Sequence, residues 1–273
     1  MIGFNQQTIA RRKLTMTIVV LILLASFFVL RAVPWPKDAV FQAMLGMASF
    51  SLVSFVAVMT FIKFFTRKKN KYLFIGSAFL GTAILEGYSL LTSSSVGATL
   101  WTTSRIFLST FLLLSLKSWR EGEGVQKALK PRVYISAVSS AVLIIAAVTL
   151  LQSFDPYWRF LIFRRPLEIP AALLFGIAAF GYWKKGYWKF KFFEFWFLLS
   201  LIAAFFAQIY MALSGQFTDA AFNTGYVLKI LSYLFSLVGL FMSTYAAFEE
   251  IEAEKKIHAG HTSGAYYLKT EKS

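Results

Sequence analysis

The feature that most constrains this chain is a succession of eight apolar runs. Most of them approach or exceed the ~20 residues that an α-helix needs to cross a bilayer. A segment inside lipid must satisfy its own backbone hydrogen bonds, so runs of this length predict helices. We therefore predict an all-α fold, a polytopic membrane helical bundle of about eight transmembrane helices. The runs are Leu14–Leu30, Ala39–Phe65, Tyr72–Leu91, Leu100–Leu116, Val133–Phe154, Ile169–Trp183, Phe195–Leu213 and Phe222–Phe248.

The composition agrees with burial by lipid. Of 273 residues, 58% are hydrophobic and 15% are charged, whereas soluble domains are about 45–50% apolar and about 25% charged. The net charge of +15 comes from short basic clusters beside the apolar runs, which is typical of topology signals and contacts with anionic lipids. We expect membrane lipids, and no nucleic acid, as partners. Cysteine is absent, which excludes disulfides, cysteine-ligated metals and thiol chemistry.

The basic segments alternate along the chain. They are Arg11–Lys13, Arg67–Lys71, Lys117–Arg132 and Lys184–Lys191. By the positive-inside rule they place both termini in the cytoplasm. The exception is Asp155–Glu168, an external segment that carries Arg159, Arg164 and Arg165. Its aromatic residues indicate that it lies on the membrane surface, and a lid over an external site is the alternative.

These signals divide the chain into three parts. Residues 1–13 form a cytoplasmic segment, residues 14–248 the membrane domain, and residues 249–273 a cytoplasmic extension. The extension continues the last helix, with Glu252 and Lys256 spaced for an i,i+4 pair. From His258 onward we expect a disordered, solvated tail. The predicted location is the plasma membrane, as in the inner membrane of a prokaryote.

Four polar side chains stand within different apolar runs at similar depth. Glu86, Arg105, Gln208 and Lys229 all fall within about 7–11 Å of the outer surface, counted at about 1.5 Å per residue. Charge at membrane depth is costly, so such residues are candidates for a functional site. The sequence predicts that they meet in one polar layer.

In this layer Glu86 can pair with Arg105 or Lys229, and one cation is left over. A ligand with an acidic or carbonyl head and an apolar body, such as a lipid, a fatty acid or a quinone, would suit that site. The alternative is a structural Glu86–Arg105 pair, with Lys229 extending to the outer surface. Lys63, near the inner end of the second run, is interpreted as extending to the inner surface in the same way.

Enzyme chemistry finds no support. The apolar runs contain no histidine, no cysteine and no paired carboxylates, and no phosphate-binding glycine loop occurs. We therefore expect no catalytic residues and no metal site, and the sequence does not identify a cofactor. A retinal Schiff base on Lys229, with Glu86 as the counter-ion, is a further interpretation. Eight spans and the residues around Lys229 argue against it.

Short motifs resemble the MASE3 membrane-associated sensor domain family. Trp101-Thr102-Thr103-Ser104-Arg105 resembles its W-x-x-x-R, and Gly225-Tyr226-Val227-Leu228-Lys229-Ile230-Leu231-Ser232 resembles its G-H-x-x-K-x-x-S segment. Glu86 would be the family's acidic residue of the third span. The chain departs from the pattern where Tyr226 and Ser89 stand in place of histidine. A family His-x-x-x-Glu would fall at Gln42 and Gly46.

The resemblance implies an input module, which the family joins to a kinase, cyclase or phosphodiesterase through a helix. Here about 25 residues follow the last span, so we expect either a detached sensor or a different use. Our hypothesis is a sensory module that binds an amphipathic ligand in the outer leaflet and signals through its last helix to a cytoplasmic partner or a second copy. A small transporter or lipid-handling protein is the alternative. The predicted ligand-binding residues are Glu86, Trp101, Arg105, Gln208, Tyr226, Lys229 and Ser232.

Overall fold

The computed structural model describes residues 6–36, 38–92, 94–117, 123–151, 163–216 and 219–270. This part of the chain forms eight α-helices and one short 3₁₀ turn, Tyr187–Lys189. The predicted all-α fold is confirmed for these residues, and the described part of each apolar run lies mainly in one helix. The helices are α1 (Gln6–Arg31), α2 (Ala39–Arg67), α3 (Asn70–Leu91), α4 (Ser94–Leu114), α5 (Glu123–Leu151), α6 (Glu168–Lys185), α7 (Phe192–Leu213) and α8 (Ala220–Thr270).

Six of the described helices, α1, α2, α3, α5, α7 and α8, are long and apolar enough to cross a membrane. Among these, α3 and α7 are central, since 67% of the most apolar stretch of each is buried. The same share is 11% for α1 and 17% for α5, so these two helices present apolar side chains outward. An apolar exterior of this kind is what a helical membrane protein requires.

Of the other two helices, α4 is largely buried over its described residues, whereas α6 leaves Leu173 and Phe180 exposed on one face. Helix α4 has 21 residues and α6 has 18, or about 31 and 27 Å at about 1.5 Å per residue. Helix α4 is less apolar because it turns Thr102, Ser104 and Arg105 toward neighbouring helices, where all three are buried. A helix surrounded by protein can carry such residues, so its composition alone does not identify it as a span.

Local chemistry sets several helix ends. Asp38 caps α2 by accepting a hydrogen bond from the Phe41 N–H at 2.6 Å, and α6 ends at Gly186 with a left-handed φ of 71°. Asp219 precedes α8 and accepts from the Phe222 N–H at 2.8 Å and the Gly215 N–H at 2.7 Å. These contacts fix the turn between α7 and α8.

Helices α7 and α8 pack closely at Gly225 of α8. A Cβ placed on Gly225 of α8 would lie 2.8 Å from the Ala207 carbonyl oxygen and 2.7 Å from Met211 Cγ on α7. Only glycine allows the two backbones to approach this far. The pair therefore holds Lys229, one turn after Gly225, at a fixed depth beside α7.

The C-terminal extension differs from the sequence expectation. Helix α8 is 51 residues long and continues to Thr270, where disorder was expected from His258. The residues after Phe248 include many good helix formers (alanine, glutamate, lysine) and no proline, so local propensity favours continuation. Helix α8 thus runs for about 76 Å without interruption.

Of the segment Asp155–Glu168, residues 155–162 lie outside the described part of the chain. The end of this segment is attached to α7, because the Arg164 and Arg165 N–H groups donate to the Ala212 carbonyl oxygen at 3.0 and 3.2 Å.

Candidate functional site: a buried polar layer

Glu86 on α3 is the centre of the site and is 3% exposed. Its Oε1 accepts hydrogen bonds from Arg105 Nη1 at 3.0 Å and from the Tyr233 hydroxyl at 2.9 Å. Its Oε2 accepts from Lys229 Nζ at 2.9 Å and from Ser49 Oγ at 2.8 Å. One carboxylate therefore joins α2, α3, α4 and α8.

Helical spacing explains how α8 and α4 contribute several side chains each. Lys229 and Tyr233 are four residues apart, and Tyr226 precedes Lys229 by three, so all three share one face of α8. Trp101 and Arg105 are likewise four residues apart on α4. Each of the two faces donates hydrogen bonds to the Glu86 carboxylate, from Arg105 on α4 and from Lys229 and Tyr233 on α8.

The Trp101 ring lies close to three cationic side chains. The Arg105 guanidinium carbon lies 4.2 Å from the ring centroid, Lys229 Nζ 5.2 Å and the Arg165 guanidinium carbon 5.3 Å. The Tyr226 ring stacks on Trp101 with centroids 5.4 Å apart. Cations at these distances from an aromatic face are attracted by its quadrupole, and more strongly where water is excluded.

A second ion pair adjoins the first. Arg165 Nη2 lies 3.1 Å from Glu168 Oε1 at the start of α6. Thr102 of α4 donates to the same oxygen at 2.9 Å and accepts from Arg165 Nη2 at 3.2 Å. Arg165 is 1% exposed and Glu168 is 0% exposed. The second pair thus extends the polar layer to α6.

Counted over the described residues, the layer has three cations, Arg105, Arg165 and Lys229, against the carboxylates of Glu86 and Glu168. One positive charge is left over. Arg105 is 1% exposed, yet its Nε and Nη2 have no hydrogen-bond partner among the described residues. Buried donors without partners are costly. The layer therefore offers charge and hydrogen bonds to an anionic or carbonyl group.

The structure confirms the predicted meeting of Glu86, Arg105 and Lys229, and it places Trp101 and Tyr226 around them. Gln208 is 1% exposed on α7 but makes no hydrogen bond to these residues, and its Oε1 has no partner within the described part of the chain. The Ser232 hydroxyl donates to the Lys229 carbonyl oxygen at 2.7 Å. Ser232 therefore contributes to its own helix and not to the carboxylate.

The interpretation of Lys229 as a side chain that extends to the outer surface is wrong, because Lys229 is 2% exposed and bonded to Glu86. The same interpretation is wrong for Lys63, which is 7% exposed. Its Nζ lies 4.8 Å from the Phe193 ring centroid and 5.2 Å from that of Tyr72. These aromatic rings, together with the nearby Lys71–Glu194 ion pair, give Lys63 a buried environment.

Sequence reasoning missed Arg165, Glu168, Thr102, Ser49 and Tyr233. Arg165 had a signal, since basic residues in the predicted external segment break the positive-inside pattern. The structure resolves that exception by burying Arg165 in the polar layer. Serine, threonine and tyrosine carry no comparable signal, because their presence in a membrane helix has little cost.

Of the positions at which the chain departs from the MASE3 pattern, Gln42 and Gly46 are on α2 and Tyr226 is on α8. Gln42 Nε2 donates to Asn223 Oδ1 at 2.8 Å. A Cβ on Gly46 would lie 2.6 Å from Leu90 Cδ2 of α3 and at an ordinary contact distance of 3.7 Å from the Tyr226 hydroxyl oxygen, so the missing side chain at Gly46 leaves room for Leu90.

No protein-family model, curated protein or solved structure matches this chain. The resemblance to the MASE3 family stays a prediction.

Proposed function

We propose that the chain is a sensory module of the plasma membrane, with eight spans and both termini in the cytoplasm. It binds an amphipathic ligand at the polar layer and signals through α8 to a cytoplasmic partner. The proposal assigns binding, and no covalent chemistry, to the layer. The MASE3 resemblance also implies a sensory input module.

The observation that carries the proposal is the state of Arg105. A guanidinium that is 1% exposed and has two nitrogens without partners lies in a layer with surplus positive charge. A carboxylate or carbonyl head would complete its hydrogen bonds. The apolar helices around the layer would contact the body of a fatty acid, lipid or quinone.

Glu86 acts in this proposal as an internal anion. It pairs with Arg105 and Lys229 and holds α8 against α2, α3 and α4. An entering carboxylate competes with Glu86 for the same cations and loosens α8 from α3. The ligand shifts the equilibrium only because it binds this loosened state more tightly. The continuous helix then carries the displacement to Thr270.

Titration with oleate tests the site, with oleyl alcohol as the uncharged probe. In lipid nanodiscs we expect saturable binding of oleate, and loss of about tenfold in affinity, or about 1.4 kcal/mol, in Arg105→Met and in Lys229→Met. Lys71→Met is the matched control, since it removes a cation from the Lys71–Glu194 pair outside the layer. The control should bind as the natural chain does.

Unchanged oleate affinity in both layer variants would overturn the proposal. If oleyl alcohol bound with the same affinity as oleate, the proposal that the ligand has an anionic head would be wrong. A sensor should give no flux of oleate across sealed vesicles, whereas the alternative transporter function requires it. An absorbance spectrum of the purified protein tests for bound haem, retinal or quinone.

A further inference from the structure

A cavity of about 690 Å³ lies between the first half of α1, the end of α6, the 3₁₀ turn and α7. It is at the opposite end of α6 from the polar layer, since Trp183 and Lys184 line it and Glu168 is the first residue of that helix. Its volume is in the range of about 300–1,000 Å³ that is typical of ligand sites. The polar layer does not use any of its residues.

The mouth of the cavity is basic. Lys13, Lys184 and Lys189 line it, and no acidic side chain does so in the described part of the chain. None of the three lysines has a carboxylate partner among the described residues. The site therefore has three unneutralised positive charges at the end of the bundle where α1 begins.

The walls become apolar with distance from these lysines. Along α1 the lining proceeds from Lys13 through Met16 to Val20 and Leu21, a distance of about 10 Å at about 1.5 Å per residue. Ile202 continues the apolar lining on α7. A charged mouth that leads into an apolar interior matches a phosphate headgroup followed by acyl chains.

The framework of the cavity is fixed by buried contacts. Arg12 Nη1 donates to the Trp188 carbonyl oxygen at 2.7 Å, which fastens α1 to the 3₁₀ turn. Trp188 is 2% exposed, and its indole N–H donates to the Trp183 carbonyl oxygen at 3.1 Å. The Trp183 side chain is 53% exposed beside the mouth, which is typical of tryptophan at a membrane interface.

We infer that this cavity is a binding site for an anionic phospholipid of the leaflet that faces the basic end of the bundle. The three lysines bind the phosphate and the charged headgroup. The apolar walls of α1 and α7 contact the upper part of the acyl chains. The site would hold α1, whose outward surface is otherwise exposed to lipid, against α6 and α7.

Native mass spectrometry of the full chain tests the inference, with phosphatidylglycerol and phosphatidylcholine titrated in parallel. We expect phosphatidylglycerol to bind more tightly, and the combined variant Lys13→Gln, Lys184→Gln, Lys189→Gln to lose this preference by about tenfold or more. The control variant Arg67→Gln, Lys69→Gln, Arg132→Gln removes the same charge away from the cavity. It should keep the preference.

If both triple variants lost the preference for phosphatidylglycerol equally, the attraction would be diffuse electrostatics and the site would be overturned. Equal affinity of the natural chain for the two lipids would also overturn it. Glycerol phosphate, added as a soluble competitor, should not displace the lipid, because it lacks the acyl chains; displacement would indicate a site for free phosphate. Val20→Trp places a larger side chain in the apolar part of the cavity and leaves all charges in place. It should weaken phosphatidylglycerol binding, and unchanged binding in this variant would also contradict the inference.

Discussion

Glu86 neutralises two buried cations at once, so its removal should destabilise the fold. In Glu86→Gln, Arg105 and Lys229 would stay buried without their carboxylate, and removal of one partner from a buried pair costs about 3–5 kcal/mol. We expect the free energy of unfolding in mixed micelles to fall by that amount. The triple variant Glu86→Leu, Arg105→Met, Lys229→Met removes all three charges and should cost less than Glu86→Gln, because only the Ser49 and Tyr233 hydroxyls would then lose their acceptor. Equal stability of Glu86→Gln and the natural chain would contradict this account.

The same substitution should strengthen ligand binding. If Glu86 is an internal competitor, Glu86→Gln frees Arg105 and Lys229 for the carboxylate of oleate. We expect the affinity of the folded fraction to rise by about tenfold, or about 1.4 kcal/mol. Isothermal titration in nanodiscs measures this change. Weaker binding by Glu86→Gln would instead indicate that Glu86 is a structural residue and not a competitor.

At the residue scale, the sequence predicted the depth of the polar side chains along their helices, but it did not predict which neighbouring helix each side chain faces. A helix rises by a fixed amount per residue, so counting placed Glu86, Arg105 and Lys229 in one layer correctly. Counting does not show which neighbour a side chain faces. Gln208 has a similar depth but makes no hydrogen bond to the group, and Arg165 enters the layer from a connecting segment that contains no apolar run.

The close approach of α7 and α8 depends on Gly225. In Gly225→Ala the added methyl would lie 2.8 Å from the Ala207 carbonyl oxygen, and backbone cannot move as easily as a side chain. We expect a loss of about 1–3 kcal/mol of unfolding free energy, together with weaker oleate binding as Lys229 is displaced.

Gly176→Ala on α6 is the matched control for this prediction. There the added methyl would meet only the Phe205 ring, at 3.3 Å, and the ring can shift. Since alanine favours helix over glycine by about 1 kcal/mol, this variant should be neutral or stabilising. Equal effects of the two substitutions would show that the α7–α8 contact has no special role.

At the scale of elements, the sequence predicted the existence of all eight helices, because each has its own apolar run. It could not show that α4 is an interior helix, since that depends on which residues its neighbours present. The extent of α8 was also underestimated. The residues from His258 onward were predicted to be a disordered tail, although helix propensity favours a helix there even without an apolar face.

The topology of the whole molecule depends on whether α4 and α6 cross the membrane. Eight spans place the segment before α5 inside and the segment after it outside, and six spans reverse both. The chain has no cysteine, so single cysteines at Lys130 and Arg164 can be labelled selectively. An impermeant thiol reagent applied to intact cells should label Arg164→Cys, and Lys130→Cys only after lysis. The opposite pattern would support six spans.

At the scale of the whole molecule, we expect an anionic ligand in the polar layer to displace α8. Spin labels on Phe65→Cys of α2 and Phe248→Cys of α8, which are 55% and 67% exposed, report the separation of the two helices away from the site. Double electron–electron resonance in nanodiscs should show a changed distance distribution with oleate. It should show none with oleyl alcohol, and none when Arg105→Met is added. An unchanged distribution at an oleate concentration that saturates binding would contradict the account.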